Sequence, residues 1–351
     1  MKPPLRLLIV GAFGDGQLAE SYIVALNRLG ISVDKFDSDQ AYFKAGRWSH
    51  IRPIRRILRH LYWRRVNRSL LAIATERRPQ VVFAVKTAFM ARETVRRIQT
   101  TLGAKIVNYY PDNPYCGIPW SPRKTSAQRR DLVAVLAQYD RVWIWEPGLA
   151  RRLQGDGVNA EYLPFAVDDE LFRPIDNQST VCEECGHVHK VVFVGQHSDK
   201  RGAHIRAIKR HLVGLWGNRW QRERDQFQIP HAIHSGRAFG KACAAIYQKA
   251  SISLNIVDDL NMPGHNMRTF EIPGSGGVML AAYTREQDAI FPEGVAAEYY
   301  RDSAEIDGIV TRLLSAPDHM QRLRAQAVSI ALKNTYVDRS RAILQAVGIE
   351  T

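Results

Sequence analysis

Arg268 and Glu271 stand three residues apart in the stretch NMRTFEIPGSGGVMLA, which spans residues 266–281. On a helix this spacing puts both side chains on one face, at the end where free backbone N–H groups favour an anion. The guanidinium suits a phosphate, and the carboxylate one turn later suits ribose hydroxyls. We therefore expect a nucleotide-sugar site here, with Asn266 and Gly276 as further contacts.

A second anion site is expected around FVGQHSDKRG, residues 193–202. An apolar strand over 190–194 is closed by Gly195, and a loop leads to a helix expected over 203–212. A glycine at a strand end followed by cations at a helix start is typical of phosphate-binding loops. Lys200 or Arg201 could neutralise a diphosphate, or both could be solvated surface charges.

Asp112 lies in the sequence YYPDNPY, directly after the strand expected over 105–109. A carboxylate beside two prolines is often a turn or helix-capping residue. At the carboxyl end of a parallel strand it could instead hold a sugar hydroxyl or act on an acceptor. Both interpretations stay open.

The segment from Lys44 to Arg78 carries eleven Lys or Arg and one acid, within a chain of net charge +14. Apolar residues recur in it at helical spacing. The helix could be solvated, could contact an anionic membrane surface or could meet a phosphorylated or acidic acceptor. No nucleic-acid-binding module is recognised. The candidate contact residues are Arg55, Arg56, Arg59 and Arg64.

The sequence CEECGHVH offers zinc-like ligands, but its spacing completes only half of a site. The favoured interpretation is a cytosolic loop whose thiols are reduced, and the alternative is a zinc site. The ligands of such a site would be Cys182, Cys185, His187 and His189. The four cysteines of the chain do not form a disulfide scaffold. Asp258 and Asp259 read as a loop at a strand end and not as a metal pair.

Apolar strands alternate with helical segments from residue 5 onwards, which predicts doubly wound parallel sheets. The glycines of GAFGDG, residues 11–16, follow the first strand without the dinucleotide-binding spacing. We expect an N-terminal domain over 1–168, a linker over 169–189 and a second domain over 190–335. A final helix over 336–351 could return to the first domain. Without a signal peptide or membrane span, a cytoplasmic protein is expected.

The motifs FVGQHSDKRG, GNRW (217–220), FEIPGSGGVMLA (270–281) and IFPEGVAAEYYRD (290–302) resemble bacterial glycosyltransferases of the CgeB, or spore-maturation, type. These are relatives of the family 4 glycosyltransferases of GT-B fold. The resemblance covers residues 190–320 well. In the N-terminal half the resemblance is limited to the general residue pattern of three stretches, YYPDNP, WIWEPGLARRL and LPFAVDDELFRP.

The resemblance implies a nucleotide-diphosphate-sugar donor bound by the second domain and an acceptor bound by the first, with the active site in a cleft between them. Glu271 falls on the carboxylate that holds the donor ribose, and Arg201 falls on the basic position of the phosphate loop. Many family 4 enzymes carry another Glu where this chain has Pro263. Retaining stereochemistry is therefore an open expectation.

We expect a metal-independent transferase, without a required cofactor, that acts on a cell-envelope glycan, lipid or protein. Arg201 and Arg268 are assigned to the diphosphate, with Gly195 and Lys200 in the same loop, and Asp112 to the sugar or acceptor. Peripheral association with the inner membrane surface could involve residues 51–68. The alternatives are a GT-B isomerase or epimerase acting on nucleotide sugars, and a non-catalytic relative that binds polyanions or membranes.

Overall fold

The computed structural model describes residues 5–14, 16–44, 58–87, 89–116, 126–174, 189–234, 238–259 and 261–349. The backbone divides into two compact units. The first comprises Met1–Pro164 together with Arg339–Thr351, and the second comprises Phe165–Asp338. Each unit is built around its own parallel sheet.

The sheet of the first unit has the strand order β2-β1-β3-β4-β5-β6, and every neighbouring pair is parallel. Its strands are β1 Leu7–Gly11, β2 Val33–Asp37, β3 Val81–Val85, β4 Lys105–Tyr110, β5 Arg141–Ile144 and β6 Ala160–Tyr162. β1 and β3 are buried along their whole length. Continuous apolar runs are expected of parallel strands that helices cover on both faces.

Helices follow most of these strands, as a doubly wound architecture requires. They are α1 Leu18–Arg28, α2 Ser38–Lys44, α3 Arg59–Arg77, α4 Arg92–Leu102, α5 Ser126–Leu136 and α6 Pro147–Gly155. In α6, Pro147 occupies the first turn, where no backbone N–H is needed, and Glu146 caps the helix by accepting from the N–H groups of Gly148 and Leu149.

The second sheet has the strand order β12-β11-β10-β7-β8-β9 and is also parallel. Its strands are β7 Val191–Val194, β8 Val213–Trp216, β9 Ala232–His234, β10 Ile252–Asn255, β11 Met279–Ala282 and β12 Glu298–Tyr300. Side chains from its central strands form the apolar core of the unit with helices on both faces.

The helices of the second unit are α7 Asp199–Arg206, α8 Trp220–Phe227, α9 Gly240–Lys249, α10 Arg268–Gly274, α11 Arg285–Ile290, α12 Ile306–Leu314 and α13 Pro317–Ala331. A final helix, α14 Tyr336–Ala346, begins in the second unit and continues into the residues that belong to the first. A 3₁₀ turn at Ser303–Glu305 precedes α12.

The expected fold class, two doubly wound parallel sheets, is confirmed, but some elements differ from the sequence-based expectation. The helix expected over 203–212 instead spans Asp199–Arg206, and the strand β8 follows it. Ser198 explains the earlier start, because its side chain caps the helix by accepting from the N–H of Arg201. The short strands β6, β8 and β9 were not expected.

Among the described helices, none combines the length and the apolar character that crossing a bilayer requires.

Candidate active site

The candidate site of the second unit lies where its strand order reverses. β7 pairs with β10 on one side and with β8 on the other, so the chain leaves the neighbouring strands β7 and β10 towards different parts of the sheet. In parallel sheets a crevice opens at the carboxyl ends of two such strands, and ligands bind there. The loop 195–198 follows β7, and the segment 256–267 follows β10.

Arg268 is the first residue of α10, and its side chain reaches back across this crevice. Its Nε donates to the carbonyl oxygen of Val194, the last residue of β7, at 2.6 Å. A Cβ built on Gly195 would lie 2.7 Å from Nη2 of Arg268. The guanidinium therefore lies directly against the Gly195 backbone, in space that only glycine leaves open.

Arg201, on α7, joins the same two loops from the other side. Its Nη1 donates to the carbonyl oxygen of Gln196 at 2.8 Å, and its Nη2 lies 3.0 Å from Oδ2 of Asp258. The residue is 9% exposed. Two of its three nitrogens are thus engaged in holding the loops, while the buried Nε has no partner among the described residues.

The two guanidinium groups share one aromatic surface. Their central carbons lie 5.6 Å (Arg201) and 5.7 Å (Arg268) from the ring centroid of Phe193. Burial and the neighbouring Arg268 charge lower the pKa of Arg201 to about 10, against the opposing effect of Asp258. Two like charges held together raise each other's free energy, and a bound anion would relieve this repulsion.

Glu271 lies one turn after Arg268 on α10 and is half-buried. Burial raises the pKa of its carboxyl to about 7; Arg268 opposes this rise, and the buried Asp168 adds to it. Arg268 and Glu271 lie one turn apart on α10, so the charge of the arginine acts on the carboxyl. The carboxyl therefore changes its charge near neutral pH, and its ionised form accepts hydrogen bonds from hydroxyl groups.

The Gly195 loop is held from behind by the segment that contains the GNRW motif. The indole Nε1 of the fully buried Trp220 donates to the carbonyl oxygen of Gly195 at 2.8 Å. Gly217 has φ +134°, and a Cβ there would collide with the Gly195 carbonyl. The motif therefore fixes the loop through a close backbone approach.

A buried hydrogen-bonded cluster continues this support. Nε2 of His197 lies 2.7 Å from Oε1 of Glu223, and both side chains are 5% exposed. The other carboxylate oxygen of Glu223 accepts from Nη1 of Arg206. Burial alone would raise the pKa of Glu223, but the hydrogen bonds from His197 and Arg206 outweigh it and lower this pKa. His197 is thereby anchored inside the loop that carries Gly195.

Three other expected contacts occupy different surroundings. Nζ of Lys200 lies 2.6 Å from Oδ1 of Asp259, the residue that follows the Asp258 partner of Arg201. Asn266 is buried and donates to Oδ1 of Asn255 at 2.9 Å, although its own Oδ1 has no partner among the described residues. Gly276 follows the end of α10 and faces Pro174 and Val328.

The expected residues of the first unit are placed separately. Asp112 lies after β4, half-exposed, with Oδ2 3.0 Å from Nζ of Lys86. Arg59 and Arg64 are exposed on α3, whereas Tyr62 is buried. Arg55 and Arg56 lie outside the described residues.

The zinc hypothesis concerns residues that are largely outside the described part of the chain, namely Cys182, Cys185 and His187. His189 is described, and its ring packs edge-on against Trp216 with centroids 5.9 Å apart. Across the described ranges, no group of three or more His, Cys, Asp or Glu side chains is arranged to hold a metal ion. The zinc and metal-independence expectations both stay predictions.

The contacts of two carboxylates, Asp258 and Glu223, were not expected from the sequence. Asp258 lies in a loop after β10, as expected, and it also pairs with Arg201 and accepts from Oγ of Ser198 at 3.2 Å. The signal was its position directly after a central parallel strand. Glu223 lies in a helix that the apolar pattern did not predict, so no sequence signal indicated its contact with His197.

Comparison with known proteins identifies this architecture. Residues 196–345 match a protein-family model described as glycosyl transferase-like. The whole chain has the GT-B fold, and the matched domain together with this fold supports a glycosyltransferase. No match is found among curated protein sequences.

Solved structures with this fold cover nearly all of the chain. Sucrose-phosphate synthase from Thermosynechococcus elongatus is 13% identical, with a TM-score of 0.76 and 98% of each chain covered. HepE from Anabaena, in complex with UDP-glucose, is 12% identical, with a TM-score of 0.66, 98% of this chain covered and 99% of that chain. A glycosyltransferase from Rickettsia africae is 11% identical, with a TM-score of 0.67 and coverage of 99% and 100%.

Proposed function

We propose that this chain transfers a sugar from a nucleoside-diphosphate donor, and that the donor binds at the β7–β10 crevice of the second unit. The observation that carries the proposal is the pair of guanidinium groups of Arg201 and Arg268 against Phe193. A diphosphate would supply the negative charge that this pair lacks. Glu271, one turn beyond Arg268, would hold the ribose.

We infer a UDP-sugar as the donor class. Solved structures of Anabaena HepE, which has the same fold, contain UDP and UDP-glucose. The chemical demand is stabilisation of the departing diphosphate, and guanidinium groups meet it through charge-assisted hydrogen bonds without a required metal or cofactor. Within the donor site Arg268 is the more accessible cation, because two nitrogens of Arg201 are already engaged.

We place the acceptor on the first unit, with Asp112 as the group that contacts the sugar or the acceptor. Its position after β4 puts it at the carboxyl edge of the first sheet, where ligands of such sheets bind. The exposed arginines of α3 support an anionic acceptor or the inner membrane surface as a partner. The resemblance of its motifs favours the CgeB type and a role in cell-envelope synthesis, whereas Pro263 in place of the family Glu leaves the stereochemistry of transfer open.

Calorimetric titration with UDP tests the donor site. We expect Arg268→Ala to weaken UDP binding about tenfold or more, because one charge-assisted contact contributes about 1.5–3 kcal/mol. Glu271→Ala should weaken the binding of UDP but not the binding of inorganic pyrophosphate, because pyrophosphate has no ribose. Arg301→Ala is a matched control, since this exposed arginine of the same unit pairs with Glu293. Unchanged UDP affinity in the Arg268 and Glu271 variants would exclude the site.

Product analysis separates the alternatives. A transferase consumes the UDP-sugar only when an acceptor is present, apart from slow hydrolysis. An isomerase or epimerase would convert the donor alone, and a non-catalytic relative would bind anionic vesicles without binding UDP.

A further inference from the structure

A cavity of about 520 Å³ lies in the first unit, among the helices that cover its sheet. Helices α4, α5 and α6 and the segment after β4 form its walls. The charged and aromatic residues that line it are Arg92, Arg129, Arg130, Arg152, Tyr115 and Asp156. None of them belongs to the donor site or to the acceptor contacts assigned above, so this cavity is a separate feature.

The lining of the cavity is strongly cationic. Four guanidinium groups face one carboxylate, and that carboxylate is already engaged: Oδ2 of Asp156 accepts from the Tyr115 hydroxyl at 2.5 Å. None of the four arginines lies within 4.0 Å of an acidic oxygen elsewhere in the described part of the chain. Such a concentration of positive charge in a concave site attracts anions by focusing the field.

Arg152 is held in a defined position. Its guanidinium carbon lies 3.7 Å from the ring centroid of Tyr115, which is a stacked cation–π contact. Stacking uses the face of the guanidinium and leaves the N–H donors at its edge, where they can form a fork that matches a phosphate. The stack therefore orders one arginine before any ligand arrives.

Apart from Gln138, the rest of the lining is apolar. Val133 and Ala134 of α5, together with Ala137 just beyond its end, contribute carbon surface to the cavity. A bare anion would leave this surface in water, whereas a ligand with a small apolar or aromatic body would cover it. The volume admits a molecule of that size.

We propose that this cavity binds a phosphate ester whose organic part is small and apolar or aromatic. The arginines take the phosphate, and α5 takes the organic part. Such a group can come from a free phosphorylated metabolite or from the headgroup of a lipid. This inference does not depend on the donor site, because every residue that carries it lies in the first unit.

Titration with phenyl phosphate and with inorganic phosphate at low ionic strength tests the proposal. We expect phenyl phosphate to bind more tightly than inorganic phosphate. Arg152→Ala should weaken it about tenfold or more, since one charge-assisted contact is lost. Arg151→Ala is the matched control: this neighbouring arginine is also exposed on α6 but does not line the cavity. The affinity of the Arg151→Ala variant for phenyl phosphate should stay within about twofold of that of the unaltered chain.

A second pair protects the test against a folding defect in one variant. Arg92→Ala should weaken the binding of phenyl phosphate. Arg97→Ala should leave this binding unchanged, because Arg97 is on the same helix but outside the cavity. Binding of phosphatidic acid vesicles that depends on Arg92 and Arg152 identifies a lipid source; binding of phenyl phosphate alone identifies a free metabolite. Failure to bind phenyl phosphate, or equal losses in the cavity and control variants, would overturn the proposal.

Discussion

A side chain on Gly195 would collide with Arg268, because a Cβ at residue 195 would lie 2.7 Å from Nη2 of the arginine. The ring of Phe193 closes the same space, at 3.0 Å from that Cβ. The glycine at the end of β7 and the arginine at the start of α10 therefore fit together as one unit, although 73 positions separate them in the sequence.

We predict that Gly195→Ala weakens UDP binding about tenfold while costing about 1–3 kcal/mol of unfolding free energy, the usual range for overpacking. The methyl group displaces the arginine from the crevice. Calorimetry and urea unfolding measure the two effects. Gly308→Ala is the control, since an added Cβ there meets open space on α12. Equal UDP affinity in both variants would show that the close approach has no role in binding.

We predict that UDP affinity falls as the pH is lowered from 8 to 6 by an amount that depends on Glu271. Its pKa of about 7 in the free protein means that the carboxyl is mostly ionised at pH 8 and mostly protonated at pH 6. Ribose hydroxyls donate more strongly to the ionised form, so binding at low pH must first remove a proton.

Glu271→Gln supplies the control for this pH dependence. UDP itself titrates near pH 6, and the variant reports that contribution alone. The difference between the two titrations belongs to Glu271. Parallel pH profiles for the two proteins would contradict the assignment of the carboxylate to the ribose.

We predict that Glu223→Gln destabilises the chain by about 2 kcal/mol, because His197 and Arg206 lose a charged partner in a buried site. The pKa of Glu223 is lowered on folding, so its stabilisation is present above the ordinary pKa of 4.5 and is lost as the pH falls through the lower folded value. The difference in unfolding free energy between the unaltered chain and the Glu223→Gln variant should therefore shrink in acid. Urea unfolding at pH 7 and at pH 3.5 measures it; a gap that persists unchanged would contradict the charge-based account.

We predict that Asp112→Asn lowers turnover at least tenfold and leaves the UDP dissociation constant unchanged. The substitution keeps the size of the side chain and removes its charge in the first unit, whereas the donor is proposed to bind in the second. Steady-state kinetics and calorimetry separate the two quantities. Glu161→Gln is a matched control, because this half-exposed carboxylate of the same unit pairs with Arg141. Equal turnover in the Asp112 and Glu161 variants would exclude Asp112 from catalysis.

Most of the architecture could be predicted from the sequence. The apolar runs that became β1, β3, β4, β7 and β10 are buried on both faces, so their composition alone indicates parallel strands. The strands β8 and β9 were harder to predict, since each is short and lies towards one edge of the sheet. A pattern of three or four residues has too few positions to show a period.

The proposed donor site was predictable only in part. Arg268 and Glu271 are neighbours on one helix, so helical spacing alone placed them together. Arg201 and Gly195 were expected from the local strand–glycine–cation pattern. Two nitrogens of Arg201 contact Gln196 and Asp258 as a result of packing. No spacing in the sequence predicts these contacts.

The sequence by itself thus determined the periodic elements and the residues that could meet a nucleotide, because both are local properties of the chain. Only the tertiary structure decided which charges meet. The reversal of strand order between β7 and β10 brings residues 194, 201, 258 and 268 together, and this depends on how the whole second unit folds. The close approach of Arg268 to Gly195 also depends on the fold of the whole second unit, because nothing in the local sequence around either residue specifies it.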